Sequence, residues 1–270
     1  MARVSPNLSL DAVSLGVPQL DAAGRFYSAA LFTTPAVAPG SIALDVHGTG
    51  RLELVRLDTL AGEVGSEAST SGFRGHVLSL IVKQPHEVIA LLDAARDHGA
   101  EIIKPAKKGF FGGFTATYRA PGGALWKIAA GVRRDAGETH GVPKPTETAI
   151  YLSVASPRAS KAFYEELGMS ADHDYGDKFI DFTIAPGGPR LGLLTRKSLA
   201  KDVGVDAHGE GFSAVVLRHR AGSAREVDHL LSTAESVGGR VTVAAKTSAA
   251  HYSGCFTDPD GHHWTVTAPA

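Results

Sequence analysis

The chain has 270 residues and a formal net charge of -1 at pH 7, with 43% hydrophobic and 20% charged residues. This is an ordinary globular composition, and the length suits about two domains. The near-neutral charge gives no electrostatic basis for binding nucleic acid or an anionic membrane.

Three features point to the cellular compartment. Cys255 is the single cysteine, which excludes an internal disulfide framework and suits a reducing environment. No apolar run reaches the ~18 residues of a membrane span. The first residues lack the apolar core of a signal peptide. We therefore expect a soluble cytoplasmic protein with no membrane partner.

Hydrophobic periodicity predicts short strands and helices in the first half. Alternation from Leu8 to Val17 predicts a half-buried strand, and helical spacing of apolar residues predicts a helix from Pro18 to Phe32. The other predicted elements are strands Ser41 to His47 and Arg51 to Leu57, a polar loop over 59–74, strand His76 to Val82, helix His86 to His98, and two or three strands ending near residue 131.

The second half follows a polar segment, 133–147, which has two prolines and no periodicity and is predicted to be a linker. Ser156 and Ser223 are predicted helix N-caps, and Pro157 follows at the first helical position. The predicted strands are Ala149 to Val154, Phe179 to Ile184, Arg190 to Leu194 and Phe212 to Leu217, followed by a terminal hairpin.

The two halves carry the same hairpin. Asp258-Pro259-Asp260-Gly261 is a tight-turn sequence followed by Trp264, and Pro121-Gly122-Gly123 precedes Trp126 in the same way. Each pair Trp126/Trp264 and Tyr118/Phe256 is separated by 138 residues, which indicates a half-chain repeat. Each half in turn repeats a strand, a helix and several strands. We therefore predict an α+β protein of four βαβββ units.

These motifs resemble the vicinal oxygen chelate superfamily, the group of glyoxalases, bleomycin-resistance proteins and extradiol dioxygenases. The resemblance rests on Phe163-Tyr164-Glu165-Glu166-Leu167-Gly168-Met169 and on the hairpin from Phe256 to Trp264, and more loosely on the first half. It implies two tandem domains, 1–132 and 148–270, joined by the linker 133–147, with curled mixed sheets around cavities.

The resemblance also implies where a divalent metal would bind. The usual first-strand histidine falls at Ala12 and Ala149, and the usual glutamate after the hairpin tryptophan falls at Lys127 and Thr265. Catalytic divalent sites need about three protein ligands. We therefore predict no metal cofactor. His76 lies one residue from the remaining ligand position and is a ligand only if a bulge shifts the strand.

Alternation selects candidate residues for binding a ligand. The side chains that it places towards the cavities are Ser14 and Lys127 in the first half, and Tyr151, Ser153, His263 and Thr265 in the second. Small, aromatic and polar groups together are typical of a small-molecule pocket. The alternative is a cavity filled by side chains. Trp126 and Trp264 are predicted to be core residues on the helix side.

Three functions remain open from the sequence. The resemblance to bleomycin-resistance proteins favours metal-free capture of a small organic molecule. The alternative is a glyoxalase-like lyase, isomerase or dioxygenase relative, using a rearranged metal site or acid/base catalysis by His76, Lys127, Tyr151 or His263; Tyr151 and His263 pair only if their strands are neighbours. An interaction module is the third, and assembly into a homo-oligomer is compatible with each.

Overall fold

A computed structural model describes residues 7–108, 113–137, 141–248 and 251–270. Six α-helices lie within these ranges: α1 Leu20–Ala30, α2 Leu57–Glu63, α3 Pro85–Asp97, α4 Pro157–Glu166, α5 Arg196–Val203 and α6 Ala224–Ser236. No helix in this part of the chain is both long and apolar enough to cross a membrane.

The strands group into the four predicted βαβββ units, which confirms the fold. Unit 1 surrounds α1 with β1 Ala12–Val17, β2 Pro35–Ala38, β3 Ser41–Asp45 and β4 Arg51–Arg56. Unit 2 surrounds α3 with β6 His76–Val82, β7 Glu101–Lys108, β8 Phe114–Arg119 and β9 Leu125–Ala130. The first two units are joined by α2 and the short strand β5 Thr70–Gly72.

The second half repeats this order. Unit 3 surrounds α4 with β10 Glu147–Val154, β11 Ala171–Asp174, β12 Ile180–Phe182 and β13 Arg190–Thr195. Unit 4 surrounds α6 with β15 Val215–Arg220, β16 Arg240–Thr247, β17 His251–Thr257 and β18 His263–Pro269. Here α5 and strand β14 Gly209–Gly211 form the connection, and β14 pairs with β5.

The units pair across the two halves of the sequence. The first sheet has the order β16-β17-β18-β15-β1-β4-β3-β2, so it joins unit 4 to unit 1. The second sheet has the order β11-β12-β13-β10-β6-β9-β8-β7 and joins unit 3 to unit 2. The joining strands are antiparallel, with Ala12 opposite Arg218 in the first sheet and Ala149 opposite Ser79 in the second. Each sheet therefore draws on both halves of the chain.

One hydrophobic core lies on the helix side of both sheets and contains apolar residues from all four units. Trp126 and Trp264 are both fully buried in it, as predicted. The indole nitrogen of Trp126 donates to the hydroxyl of Tyr27 over 3.3 Å, and Trp264 donates to Tyr164 over the same distance. The repeated indole–phenol pair gives each buried polar group a partner, which limits the cost of burying it.

The structure corrects two local predictions. The segment 59–74 is not a simple polar loop, because Leu57, Leu60, Ala61 and Val64 form an apolar stripe that makes α2 helical; Leu60, Ala61 and Val64 are fully buried. The strand predicted from Phe212 begins at Val215 instead. Ala214 has a φ of 60°, and this left-handed residue interrupts an extended chain. The predicted N-caps are confirmed: the side chains of Ser156 and Ser223 accept from the backbone amides of Ala159 and Glu226.

Candidate functional site: a groove on the first sheet

A groove of about 1150 Å³ lies on the outer face of the first sheet, the face turned away from the shared core. We call it the outer groove. Strand alternation brings Glu53, Arg218 and Thr265 to this face because each is out of phase with the buried core residues of its strand. Helix α2 packs beside the groove and supplies Glu63 to its wall.

Arg218 is the centre of a polar network in the groove floor. Its Nε donates to Ser14 Oγ over 2.7 Å, and its Nη2 donates to Glu63 Oε2 over 2.9 Å. A second bond from Nη1 to the same carboxylate makes the ion pair bidentate, a geometry that fixes a guanidinium firmly. Burial alone would lower the pKa of Arg218, but the hydrogen bonds and charge of Glu63 outweigh it and raise the pKa.

The neighbouring side chains extend this network. Ser14 donates its hydroxyl proton to Glu53 over 2.8 Å, and Thr265 donates to Glu63 over 3.0 Å. Cys255 Sγ lies 3.4 Å from the Thr265 hydroxyl. Burial raises the pKa of the Cys255 thiol, so this cysteine is a packing residue and not an activated nucleophile. Ser14 and Thr265, two predicted binding residues, thus belong to one polar assembly.

Lys127 and Tyr151 lie together on the outer face of the second sheet. Lys127 Nζ donates to Asp202 of α5 over 2.6 Å. Burial raises the pKa of Tyr151 to about 12, and its ring contacts Phe179 edge-on. Leu199 and Val203 of α5 are fully buried in an apolar cluster on this face. Here the helix occupies the space beside the two predicted residues, and their role in binding stays a prediction.

Ser153 and His263 line a different space, of about 720 Å³, formed where the ends of the two sheets meet. Tyr151 and His263 are not an acid/base pair, because β10 and β18 belong to different sheets. The condition for that pairing, neighbouring strands, is therefore not met. Burial lowers the pKa of His263 to about 4, and its Nε2 lies 3.1 Å from Ser66 Oγ.

The comparisons with known proteins identify the family. A model of the Glyoxalase/Bleomycin resistance protein/Dioxygenase superfamily matches residues 9–128 and 147–266. The chain belongs to this superfamily.

Solved structures show the same fold. A "putative dioxygenase" from Bacillus subtilis is 14% identical, with a TM-score of 0.64, and the match covers 98% of this chain and 86% of that one. Glyoxalase I from Zea mays is 15% identical, with a TM-score of 0.61 and coverages of 96% and 92%. Its V278E mutant is 16% identical with a TM-score of 0.63, covering 96% and 92%. No curated protein sequence matches the chain.

The residues of the first sheet do not fit the divalent metal that many members of the superfamily hold. The paired positions Ala12 and Arg218 offer a methyl group and a guanidinium. The carboxylates nearest to them, Glu53 and Glu63, are already neighbours of the Arg218 cation, at 4.0 Å and in direct contact. A second cation at this place would be repelled by the first. In the second sheet the corresponding side chains are Ala149, Ser79 and Lys127.

Two other positions bear on a metal. His76 is 2% exposed, and burial lowers its pKa to about 3. Neither ring nitrogen has a hydrogen-bond partner among the described residues. Within the described residues, the three side chains close enough to share an ion are Asp172, His173 and Asp181. Arg190 Nη1 lies 2.7 Å from Asp172 and 3.2 Å from Asp181, so a protein cation already serves these carboxylates.

Sequence reasoning missed Arg218, Glu53 and Glu63, the charged residues of the polar network in the groove floor. Glu53 and Arg218 each alternate with leucines along a strand, and that signal is visible in Leu52-Glu53-Leu54 and in Leu217-Arg218. Arg218 was not identified because the predicted strand ended at Leu217. Glu63 was not identified because α2 was predicted to be a loop.

Proposed function

We propose that the outer groove captures a small organic anion with an apolar body, without a metal cofactor and without chemical change of the ligand. The observation that carries this proposal is a spacious groove whose floor is a closed ion-pair network and whose rim holds unpaired cations. The groove lining has a formal charge of +2, because four cations face the two carboxylates Glu53 and Glu63. Both carboxylates adjoin Arg218, so the three rim cations set the charge preference.

The walls support an apolar ligand body. Ala12, Ala43, Val243, Ala268 and Pro269 line the groove, and none presents a polar side chain. Ligand pockets typically combine such walls with a few placed polar groups. Burial of apolar ligand surface then supplies affinity, since each square ångström removed from water contributes about 25 cal/mol.

The rim supports an anionic group on the ligand. Arg51, Arg220 and Lys246 line the groove, and the side chains of all three are without a hydrogen bond or ion pair to any described residue. Unpaired cations around one cleft raise the local concentration of anions and speed their association. Each exposed charge contributes little binding free energy by itself. The three cations therefore act together, through their combined electrostatic potential.

Sequestration follows from the state of the floor. The Cys255 thiol has a raised pKa, and the guanidinium of Arg218 already serves Ser14 and Glu63. The floor therefore offers a ligand a fixed shape and a fixed charge distribution. It supplies no activated nucleophile. A reducing cytoplasm is the compartment that suits the free Cys255.

The test is a calorimetric and thermal-shift screen of aromatic carboxylic acids, each paired with its neutral amide. We expect the outer groove to bind one acid and to bind the matching amide more weakly. The double variant Arg51→Gln/Lys246→Gln should weaken acid binding roughly threefold to tenfold and leave amide binding unchanged. Lys178→Gln, on the far 3-10 helix (Gly176–Lys178), is the matched control. Equal binding of acids and amides, or turnover of a bound ligand, would contradict the proposal.

A further inference from the structure

A second pocket, of about 720 Å³, lies at the seam between the two sheets and belongs to neither outer face. Its lining comes from the ends of β10 and β18, the start of α5 and the segments around β5 and β14. Ser153, Arg196 and His263 are among the lining residues. We propose that this seam pocket binds the carboxylate of a small organic acid, held by Arg196 Nη1 and Ser153 Oγ. It is independent of the outer groove.

Arg196 is a rigid cation without a carboxylate partner among the described residues. Its Nε donates to the carbonyl of Ala207 over 2.7 Å, and its Nη2 donates to the carbonyls of Phe73 and Gly209. The guanidinium also lies 5.1 Å from the centre of the Phe73 ring. These contacts fix the orientation of the guanidinium but leave its charge uncompensated by any described carboxylate. Its Nη1 makes no hydrogen bond to any described residue.

Ser153 supplies the second donor. Its hydroxyl has no hydrogen-bond partner among the described residues, although the residue is only 8% exposed. A Cβ placed on Gly75 would lie 2.9 Å from Ser153 Oγ and 3.1 Å from Arg196 Nη1, so both groups face one small space. Gly75 has a φ of 79°, which glycine adopts without strain. The backbone here keeps the space clear of a side chain.

Two further residues of the pocket lining have unpaired polar atoms. Among the described residues, Arg74 Nη1 and His263 Nδ1 are buried without a hydrogen-bond partner. Arg74 also lacks a carboxylate partner among the described residues, and its Nη2 donates to the carbonyl of Gly122. A buried cation or donor without a partner is costly. An anion in the seam pocket relieves that cost.

The acidic lining residues do not neutralise the centre. The Asp260 carboxylate accepts from the amide of Ala155 at 2.7 Å and from Ser160 Oγ at 2.6 Å, so it is already engaged. Glu67 and Glu210 are exposed and lie at the pocket wall. Phe212 adds an aromatic ring to that wall. Volume and an aromatic wall favour an organic acid over a bare inorganic ion.

The experiment titrates the full-length protein with benzoate, and in a second arm with inorganic phosphate, by calorimetry and by NMR of the histidine ring protons. Ser153→Ala should weaken benzoate binding about tenfold, because a hydrogen bond to a charged group is lost. Ser153→Asp should abolish the part of benzoate binding that Arg51→Gln/Lys246→Gln leaves unchanged, since its own carboxylate would occupy the site beside Arg196. Ser69→Ala, a hydroxyl lost elsewhere on the same lining, is the control and should bind like the parent.

Three results would overturn the proposal: a benzoate titration that is the same for Ser153→Asp and the parent, phosphate binding without benzoate binding, or no binding of benzoate at tens of millimolar. Urea unfolding accompanies each titration. We expect Ser153→Asp to be at least as stable as Ser153→Ala, because its charge pairs with Arg196. A less stable Ser153→Asp would mean that the seam pocket does not favour an anion.

Discussion

Arg218 Nε donates to Ser14 Oγ across 2.7 Å and so ties the fourth unit of the chain to the first. These residues are 204 positions apart in sequence. The bond orients the guanidinium so that its other edge meets Glu63. The groove floor therefore exists only because units from the two halves share a sheet.

Arg218→Met is expected to lower the free energy of unfolding by about 1–3 kcal/mol. The change leaves the Glu63 carboxylate without its cation. The loss of stability stays moderate because the Glu63 side chain is 35% exposed, whereas that of Arg218 is 17% exposed. Urea unfolding measures the difference. Arg220→Met removes an exposed cation from the same groove and should stay within about 0.5 kcal/mol of the parent. Equal losses in the two variants would contradict the assigned network.

Acid should destabilise the protein through two buried histidines. Burial lowers the pKa of His76 to about 3 and that of His263 to about 4, against an ordinary value of about 6.5. Below pH 6.5 the unfolded chain takes up these protons and the folded chain does not. The stability is thus fully present above pH 6.5 and falls towards pH 4, by up to ~1.4 kcal/mol per pH unit for each histidine.

His76→Leu isolates one of these contributions. In a plot of unfolding free energy against pH, the slope of the acid limb should decrease by the amount that corresponds to about one proton. It should also raise stability at neutral pH, because it removes two buried ring nitrogens that have no hydrogen-bond partner in the described part of the chain. His208→Leu, at an exposed position, is the control. An acid limb in His76→Leu that runs parallel to the parent's would refute this explanation.

The connection between β5 and β14 depends on Gly209. A Cβ there would lie 2.2 Å from the carbonyl oxygen of Phe73, so the two backbones would have to separate. Gly209→Ala should cost about 1–3 kcal/mol of unfolding free energy. Gly62→Ala, in α2 where a Cβ meets nothing within 4 Å, should instead gain about 0.5–1 kcal/mol. Thermal or urea unfolding of both variants gives the sign of each stability change. Stability changes of the same sign would be inconsistent with the packing described.

Cys255 should resist alkylation in the folded protein. It is 3% exposed, and burial raises the pKa of its thiol, so little thiolate is present or accessible. Iodoacetamide at pH 8 should label it slowly in buffer and completely in concentrated urea, as read by intact-mass spectrometry. Rapid labelling of the folded chain would show an open, reactive floor and weaken the case for passive capture.

Local structure was predictable from local pattern. The serine caps, the hairpin turns and the buried Trp126 and Trp264 each follow from a few adjacent residues, and all are confirmed. The outer-face positions of Ser14 and Thr265 also follow from alternation along one strand. These features need no knowledge of which unit pairs with which.

The grouping of site residues was not predictable in the same way. It depends on the pairing of β1 with β15 and of β10 with β6, contacts between distant segments that alternation does not encode. That pairing places Ser14 with Thr265 in the first sheet and Lys127 with Tyr151 in the second, and moves Ser153 and His263 to the seam. The packing of the connecting helices α2 and α5 determines which part of each outer face stays open. Helix α2 is short and has no side-chain cap. Helix α5 does carry cap signals, the N-cap Thr195 and the left-handed Gly204, but only eight residues lie in the helix.

The metal content of the protein tests whether the outer groove works without a metal. Untagged protein is purified without chelators, challenged with zinc, iron, manganese and nickel, and freed of unbound metal before mass spectrometry. Because Arg218 already serves Glu63 and adjoins Glu53, we expect far less than one metal ion per chain under every challenge. Close to one ion per chain, lost in Glu63→Gln, would contradict a groove that captures its ligand without a metal.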